Sequence, residues 1–95
     1  MSAVLRTPQA NLDLTEIWCY IAKDSRAAAD RFLEAVERKG EILARFPLMG
    51  QVCDDLAPDL RFFTMDRYVI FYRPIDEGIE IVRVVSGVRD IGGLF

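Results

Sequence analysis

This sequence predicts a single α+β domain, with a helical hairpin packed on one face of a small antiparallel β-sheet. Three observations predict it. Apolar residues of roughly the first sixty positions recur at helical spacing, and those of roughly the last thirty-five alternate with period two. The 95-residue length spans one domain, residues 1–95, with none left for a second. Helices come first and strands after, without the alternation that βαβ units require.

Ala3-Val4-Leu5-Arg6 reads as a short strand. It ends where Thr7 supplies an N-cap hydroxyl and Pro8 the preset φ of a first helical position. Ala10, Leu14, Ile17, Trp18 and Ile21 then form one apolar stripe, with Asp13, Glu16 and Lys23 mostly off it. Asp24-Ser25 offers the next cap. A second helix carries Ala29, Phe32, Leu33, Val36 and Leu43 inward until Pro47 forbids continuation. Gly40 within it costs about 1 kcal/mol relative to alanine, which its missing side chain can offset by letting another element approach closely. Pro47-Leu48-Met49-Gly50 is a stop and turn, followed by the longest loop, which reaches Pro58. From Leu60 the period changes to two: a hairpin turns at Asp66-Arg67, a second turn lies in 74–78, and a third strand runs 79–85. Tyr68, Ile70 and Tyr72 face one way and Val69 and Phe71 the other, while Ile79 and Ile81 oppose Val82 and Val84.

Composition excludes several kinds of chemistry. Hydrophobic residues make up 52% and charged residues 28%, as in compact globular chains. The net charge of −3 and the pI near 4.8 argue against a sequence-independent grip on phosphate backbones. There is no histidine, so His-based triads and His-ligated zinc are ruled out. Cys19 and Cys53 are too few for a four-thiolate site and read as reduced thiols packed as small apolar groups. Asp54, Asp55 and Asp59 match no calcium-loop spacing, so neither metal nor cofactor is expected. No stretch approaches roughly 18 uninterrupted apolar residues and no apolar leader opens the chain, so a cytoplasmic protein without a membrane partner is expected.

One helical hairpin covers one face of a sheet, yet neither face of these strands is polar. The expectation is a second apolar surface, interrupted by arginine and open to a partner; the alternative is that strand curvature and the C-terminal tail cover it. The arginines also have two readings. Arg61, Arg73 and Arg83 either pair with acids such as Asp59, Asp76 or Glu80, or recognise carboxylates on a partner.

Element order and particular residues together resemble the ParE-like branch of the RelE/ParE toxins of bacterial toxin-antitoxin pairs. At the front the likeness rests on Thr7-Pro8 with Ala10, Leu14, Ile17 and Trp18. In the middle it rests on Phe46-Pro47, Gly50 and Asp55-Leu56-Ala57-Pro58-Asp59-Leu60-Arg61. The C-terminal part uses Tyr68-Val69-Ile70-Phe71-Tyr72-Arg73, Gly78-Ile79-Glu80-Ile81-Val82-Arg83-Val84 and Gly87-Val88-Arg89-Asp90-Ile91. Where the family often has His-Gly-Ala-Arg-Asp-Ile-Pro, this chain has Ser86, Val88 and Gly92 in place of the histidine, alanine and proline.

The resemblance implies a toxin held inactive by a ParD-like antitoxin and acting on DNA gyrase. Ribosome-dependent mRNA cleavage, as in RelE-like members, and a non-toxic partner-binding module are the alternatives. Without histidine a nuclease must use clustered Lys and Arg, yet Lys23 and Lys39 both lie in the helical half, and arginine stabilises charge but is a poor general base. No catalytic residue and no direct sequence-specific nucleic-acid binding are therefore expected. The residues expected to meet the antitoxin are Arg61, Tyr68, Ile70, Tyr72, Arg73, Ile81 and Arg83, with Arg83 the foremost. The tail residues Arg89, Asp90, Ile91 and Leu94 are expected to meet the target, or else to dock on the chain's own sheet.

Overall fold

Thr7 and Pro8 begin the first helix, as their chemistry requires. In the computed structural model, which describes residues 2–87, helix α1 runs Pro8–Ala22, and the Thr7 hydroxyl accepts the Ala10 N–H at 3.0 Å. That bond satisfies one orphan donor of the first turn. Ser25 repeats the device for α2, Arg26–Arg45, by accepting the Ala28 N–H at 3.1 Å. Ahead of Pro47 the helix stops, and the chain makes one 3-10 turn over Pro47–Met49.

Among the described residues five strands follow the chain as β1 (Ala3–Arg6), β2 (Gln51–Val52), β3 (Arg61–Met65), β4 (Tyr68–Ile75) and β5 (Gly78–Ser86), and lie in the order β1-β5-β4-β3-β2. The β3-β4-β5 meander is the one the alternation predicts. Its first turn needs only Asp66 and Arg67, because Asp66 takes φ 55°, a left-handed conformation that aspartate tolerates. Two pairings go beyond the sequence reading. β2 is a two-residue strand added to β3, and β1 joins the outer edge of β5 in parallel, from Ala3 opposite Gly78 to Arg6 opposite Ile81. Gly40 explains part of how β1 fits. A Cβ there would lie 3.2 Å from Val4 Cγ1, so the bare glycine lets the strand come close to α2.

The main core lies between the helical hairpin and the sheet. Ala10, Leu14, Phe32, Val36 and Leu43 meet Tyr68, Ile70, Tyr72, Ile79, Ile81 and Val84. Val84 sits on the same face as Ile79 and Ile81, against the simple alternation. The cause is a β-bulge: Phe71 pairs with Arg83 but Tyr72 pairs with Ile81, so Val82 is an extra residue that switches the phase of β5.

The opposite face corrects a second expectation. It is roofed: Val69, Phe71 and Val85 are buried together with Cys53 and Leu60, and Leu56, Ala57, Phe62 and Val82 pack against them. The loop 53–60 folds back over the strands through Cys53 N–H to Leu60 C=O at 2.9 Å, Leu56 N–H to Cys53 C=O at 3.1 Å and Leu60 N–H to Ala57 C=O at 3.2 Å. Burying a side chain of this kind stabilises by about 1.5–3 kcal/mol, so the loop is a working second layer of the fold. The loop's four apolar residues, Cys53, Leu56, Ala57 and Leu60, stand at i, i+3, i+4 and i+7, the spacing of one buried face, but Pro58 and the intervening Asp54, Asp55 and Asp59 make the stretch read as a solvated loop.

Candidate functional site

The residues expected to meet an antitoxin divide between core and surface. Tyr68, Ile70, Tyr72 and Ile81 are buried under the helical hairpin and offer no open surface in this conformation, because their strand face is the one the helices cover. The three arginines all have partners. Arg73 donates from Nε and Nη2 to Glu80 Oε1 at 3.0 and 2.8 Å, across directly paired positions of β4 and β5. Arg61 donates from Nη1 to the carbonyls of Leu48 at 3.0 Å and Gly50 at 2.9 Å. Arg89, Asp90, Ile91 and Leu94 lie outside the described residues.

Arg83 is held by Asp13, an acid the strand-half reading did not consider. Its Nε and Nη2 donate to the Asp13 carboxylate at 2.8 and 3.2 Å, and the side chains are only 16% and 6% exposed. The Val84 N–H donates to the same carboxylate at 3.0 Å, and Gln9 Nε2 donates to it at 3.0 Å. This is the stretch of β5 that β1 no longer covers. Thr7 closes its beginning, with its N–H on Ile81 C=O and its hydroxyl donating to Val82 C=O at 2.8 Å. Thr7 and Asp13 thus occupy an edge that would otherwise invite strand addition. Burial alone would raise the Asp13 pKa. The Arg83 guanidinium, the Val84 N–H and the Gln9 amide outweigh it and hold the carboxyl below its ordinary value.

The exposed apolar surface lies elsewhere, where α2 ends. Phe46, Leu48, Met49 and Val52 are 61, 70, 53 and 51% exposed, with Ile42 beside them on α2. Phe46, Pro47, Leu48 and Met49 line a shallow, wholly apolar depression. The backbone beneath is pinned. The Tyr72 hydroxyl donates to Pro47 C=O and accepts the Gly50 N–H, both at 2.8 Å, while Arg61 clamps Leu48 and Gly50 from the other side. Gly50 is demanded here, because a Cβ would overlap the Tyr72 ring and hydroxyl. Burial raises the Tyr72 pKa against the opposing pull of Gly50 N–H and Arg61, so the phenol stays protonated and able to donate.

Little in this arrangement suits bond-making chemistry. Cys53 is a buried thiol whose pKa is raised by burial and then by Asp55 and Asp54, which disfavours the reactive thiolate; both cysteines are free. Among the described residues no three His, Cys, Asp or Glu side chains gather where one metal ion could be held. No helix of the described residues is long and apolar enough to cross a membrane.

Two parts of this site were missed from sequence. By angle Asp13 lies just off the apolar stripe, about 40° round the helix beyond Ile17 and nearer to it than Glu16 or Lys23, and that marginal position was itself the signal. The apolar run in residues 46–52 was visible too, since a solvent-facing turn ordinarily carries polar residues.

Comparison with known proteins gives a consistent result. The family described as "ParE toxin of type II toxin-antitoxin system, parDE" matches residues 4–91. The chain is 30% identical over 92 residues to "Toxin ParE1" of Mycobacterium tuberculosis (strain ATCC 25618 / H37Rv), covering 95% of this chain and 94% of the relative. It is 28% identical over 88 residues to "Toxin ParE3" of Caulobacter vibrioides, covering 92% and 88%. A solved structure described as "Chromosomal ParDE TA system from P. aeruginosa" superposes with a TM-score of 0.71 over 90% of this chain and 96% of that one; at 19% identity the likeness is one of fold.

Proposed function

This chain belongs to the ParE toxin family of type II toxin-antitoxin systems, and from that premise we propose that it acts in the cytoplasm by binding and inhibiting DNA gyrase and is silenced by a cognate ParD-like antitoxin. The observation that carries the reading is the turn at 46–52, an apolar surface fixed in place by Tyr72 and Arg61. A rigid apolar surface with arginine beside it suits protein recognition. The buried titratable groups support binding over catalysis. Asp13 is committed to Arg83 and Val84, the Tyr72 hydroxyl to the turn, and the Cys53 thiol is disfavoured as a thiolate. Two of the arginines a ribosome-dependent nuclease would need for phosphate charge, Arg73 and Arg83, are already paired with the carboxylates of Glu80 and Asp13.

The test is expression without the antitoxin, with supercoiling and translation assays run side by side on the purified chain. Loss of gyrase supercoiling with translation intact is expected. Messages cut only in the presence of ribosomes, or no effect in either assay, would refute the reading. Target contact through Arg89, Asp90, Ile91 and Leu94 is part of the same proposal: removal of residues 88–95 is expected to abolish growth arrest while sparing antitoxin binding, and a fully toxic truncated chain would exclude them.

A further inference from the structure

We propose that the turn at residues 46–52 is the seat of the antitoxin, and that the segment it receives carries apolar side chains flanked by carboxylates. The inference rests on the toxin reading above and adds to it a surface, an occupant and that occupant's chemistry. Both faces of the sheet are closed within the chain, one by the helices and the other by the loop 53–60, so neither needs a partner to complete it. The turn is different. Phe46, Leu48, Met49 and Val52 stand in water, yet the backbone that presents them is held by the Tyr72 hydroxyl and by Arg61. They cannot fold inward without giving up those bonds, and with the backbone already fixed a partner has only the side chains to order.

Charge indicates what the partner looks like. The chain is acidic overall, with a net charge of −3, but residues 42–53 contain no acid and one base, Arg45, in the exposed last turn of α2. Arg61 pairs with Val52 across β2 and β3 and adds a second guanidinium to the border. An apolar patch with Arg45 and Arg61 beside it, and Glu41 and Asp54 bounding the stretch in sequence, is complemented by apolar side chains with carboxylates on the arginine side. Among the described residues no strand pairs with the outer edge of the two-residue β2, beside the patch, so an extended segment can add backbone hydrogen bonds there. The occupant is the antitoxin, because apolar surface exposed permanently is an aggregation hazard and must be covered in the resting state, when the antitoxin is the chain's companion.

The test measures affinity for a cognate ParD-like antitoxin, using full-length proteins and variants whose folding is checked by circular dichroism. The double variant Leu48→Ser/Met49→Ser changes only exposed side chains and should weaken binding at least tenfold. Arg45→Glu should weaken it several-fold, with a loss that shrinks as salt rises. Leu12→Ser/Tyr20→Ser, equally exposed on α1, should bind as the wild type does. Tenfold loss confined to the turn variants supports the proposal. Wild-type affinity in Leu48→Ser/Met49→Ser overturns it while leaving the toxin reading intact, and absence of binding by the wild type overturns both. A self-associated wild-type chain that the double variant turns monomeric, with antitoxin affinity unchanged, would assign the surface to a second copy and also overturn it.

Discussion

Asp13→Ala is the substitution that bears most directly on how this fold is closed. It removes four hydrogen bonds at once, from Arg83 Nε and Nη2, from the Val84 N–H and from Gln9 Nε2. The Gln9 bond is replaced by water at little cost, since Gln9 is exposed. The others are not. A buried Val84 N–H without a partner costs about 1–3 kcal/mol, and a largely buried guanidinium without its counter-ion brings the loss to about 3–5 kcal/mol. Against a total stability of about 5–15 kcal/mol for a domain of this kind, that is a large share. With a urea slope of about 1–3 kcal/mol per molar, the unfolding midpoint should fall by at least about 1 M. The melting temperature should drop by about 12 °C or more. Arg83→Ala should cost a similar amount, and the double variant less than the sum, because the pair acts as a unit. The pH dependence has a definite sign. The Asp13 carboxyl titrates below its ordinary 3.8 in the folded chain, so its contribution is complete above that value and is lost as pH falls through the lower folded value. The stability gap between wild type and Asp13→Asn should therefore close on acidification below 3.8. Urea titration of Asp13→Ala by circular dichroism is the deciding assay, and a loss under about 1 kcal/mol would refute the account of the clasp.

Three further outcomes are expected. Gly50→Ala should destabilise by about 1–3 kcal/mol or more, read from thermal melts, because the new methyl overlaps the Tyr72 ring and forces the pinned turn apart. Thiol labelling of the native chain should modify exposed Cys19 readily and buried Cys53 slowly, and unfolding in urea should equalise the two. Arg73→Ala should change stability by less than about 1 kcal/mol in a urea titration, since its pair with Glu80 is well exposed to solvent.

Arg83 shows how a sound rule can miss its partner. An arginine between valines in a strand reads as a recognition residue, with Asp59, Asp76 and Glu80 as its competing partners. Its partner lies 70 positions away on α1. Loss of Arg83 therefore acts first on the docking of α1 against β5, and any effect on partner binding has to be measured on top of that loss. Ile70, Tyr72 and Ile81 teach the same lesson. Alternation correctly separated them from Val69 and Phe71, but could not say which face the helices would take.

By itself the sequence determined everything that neighbours within a few positions decide. The Thr7 and Ser25 caps, the stop at Pro47, the helical stripes and the period-two strands are local: each depends on hydrogen bonds or side-chain spacing within a turn or two. Only the tertiary structure decided what depends on closure of the sheet. The parallel docking of β1 on β5, the bulge at Val82, the loop 53–60 as a roof, and the clasp of Asp13 on Arg83 all join residues with no local constraint between them. The exposed turn at 46–52 belongs to that second group. Its apolar residues stay in water because Tyr72 and Arg61, distant in the chain, hold its backbone where the side chains cannot turn inward.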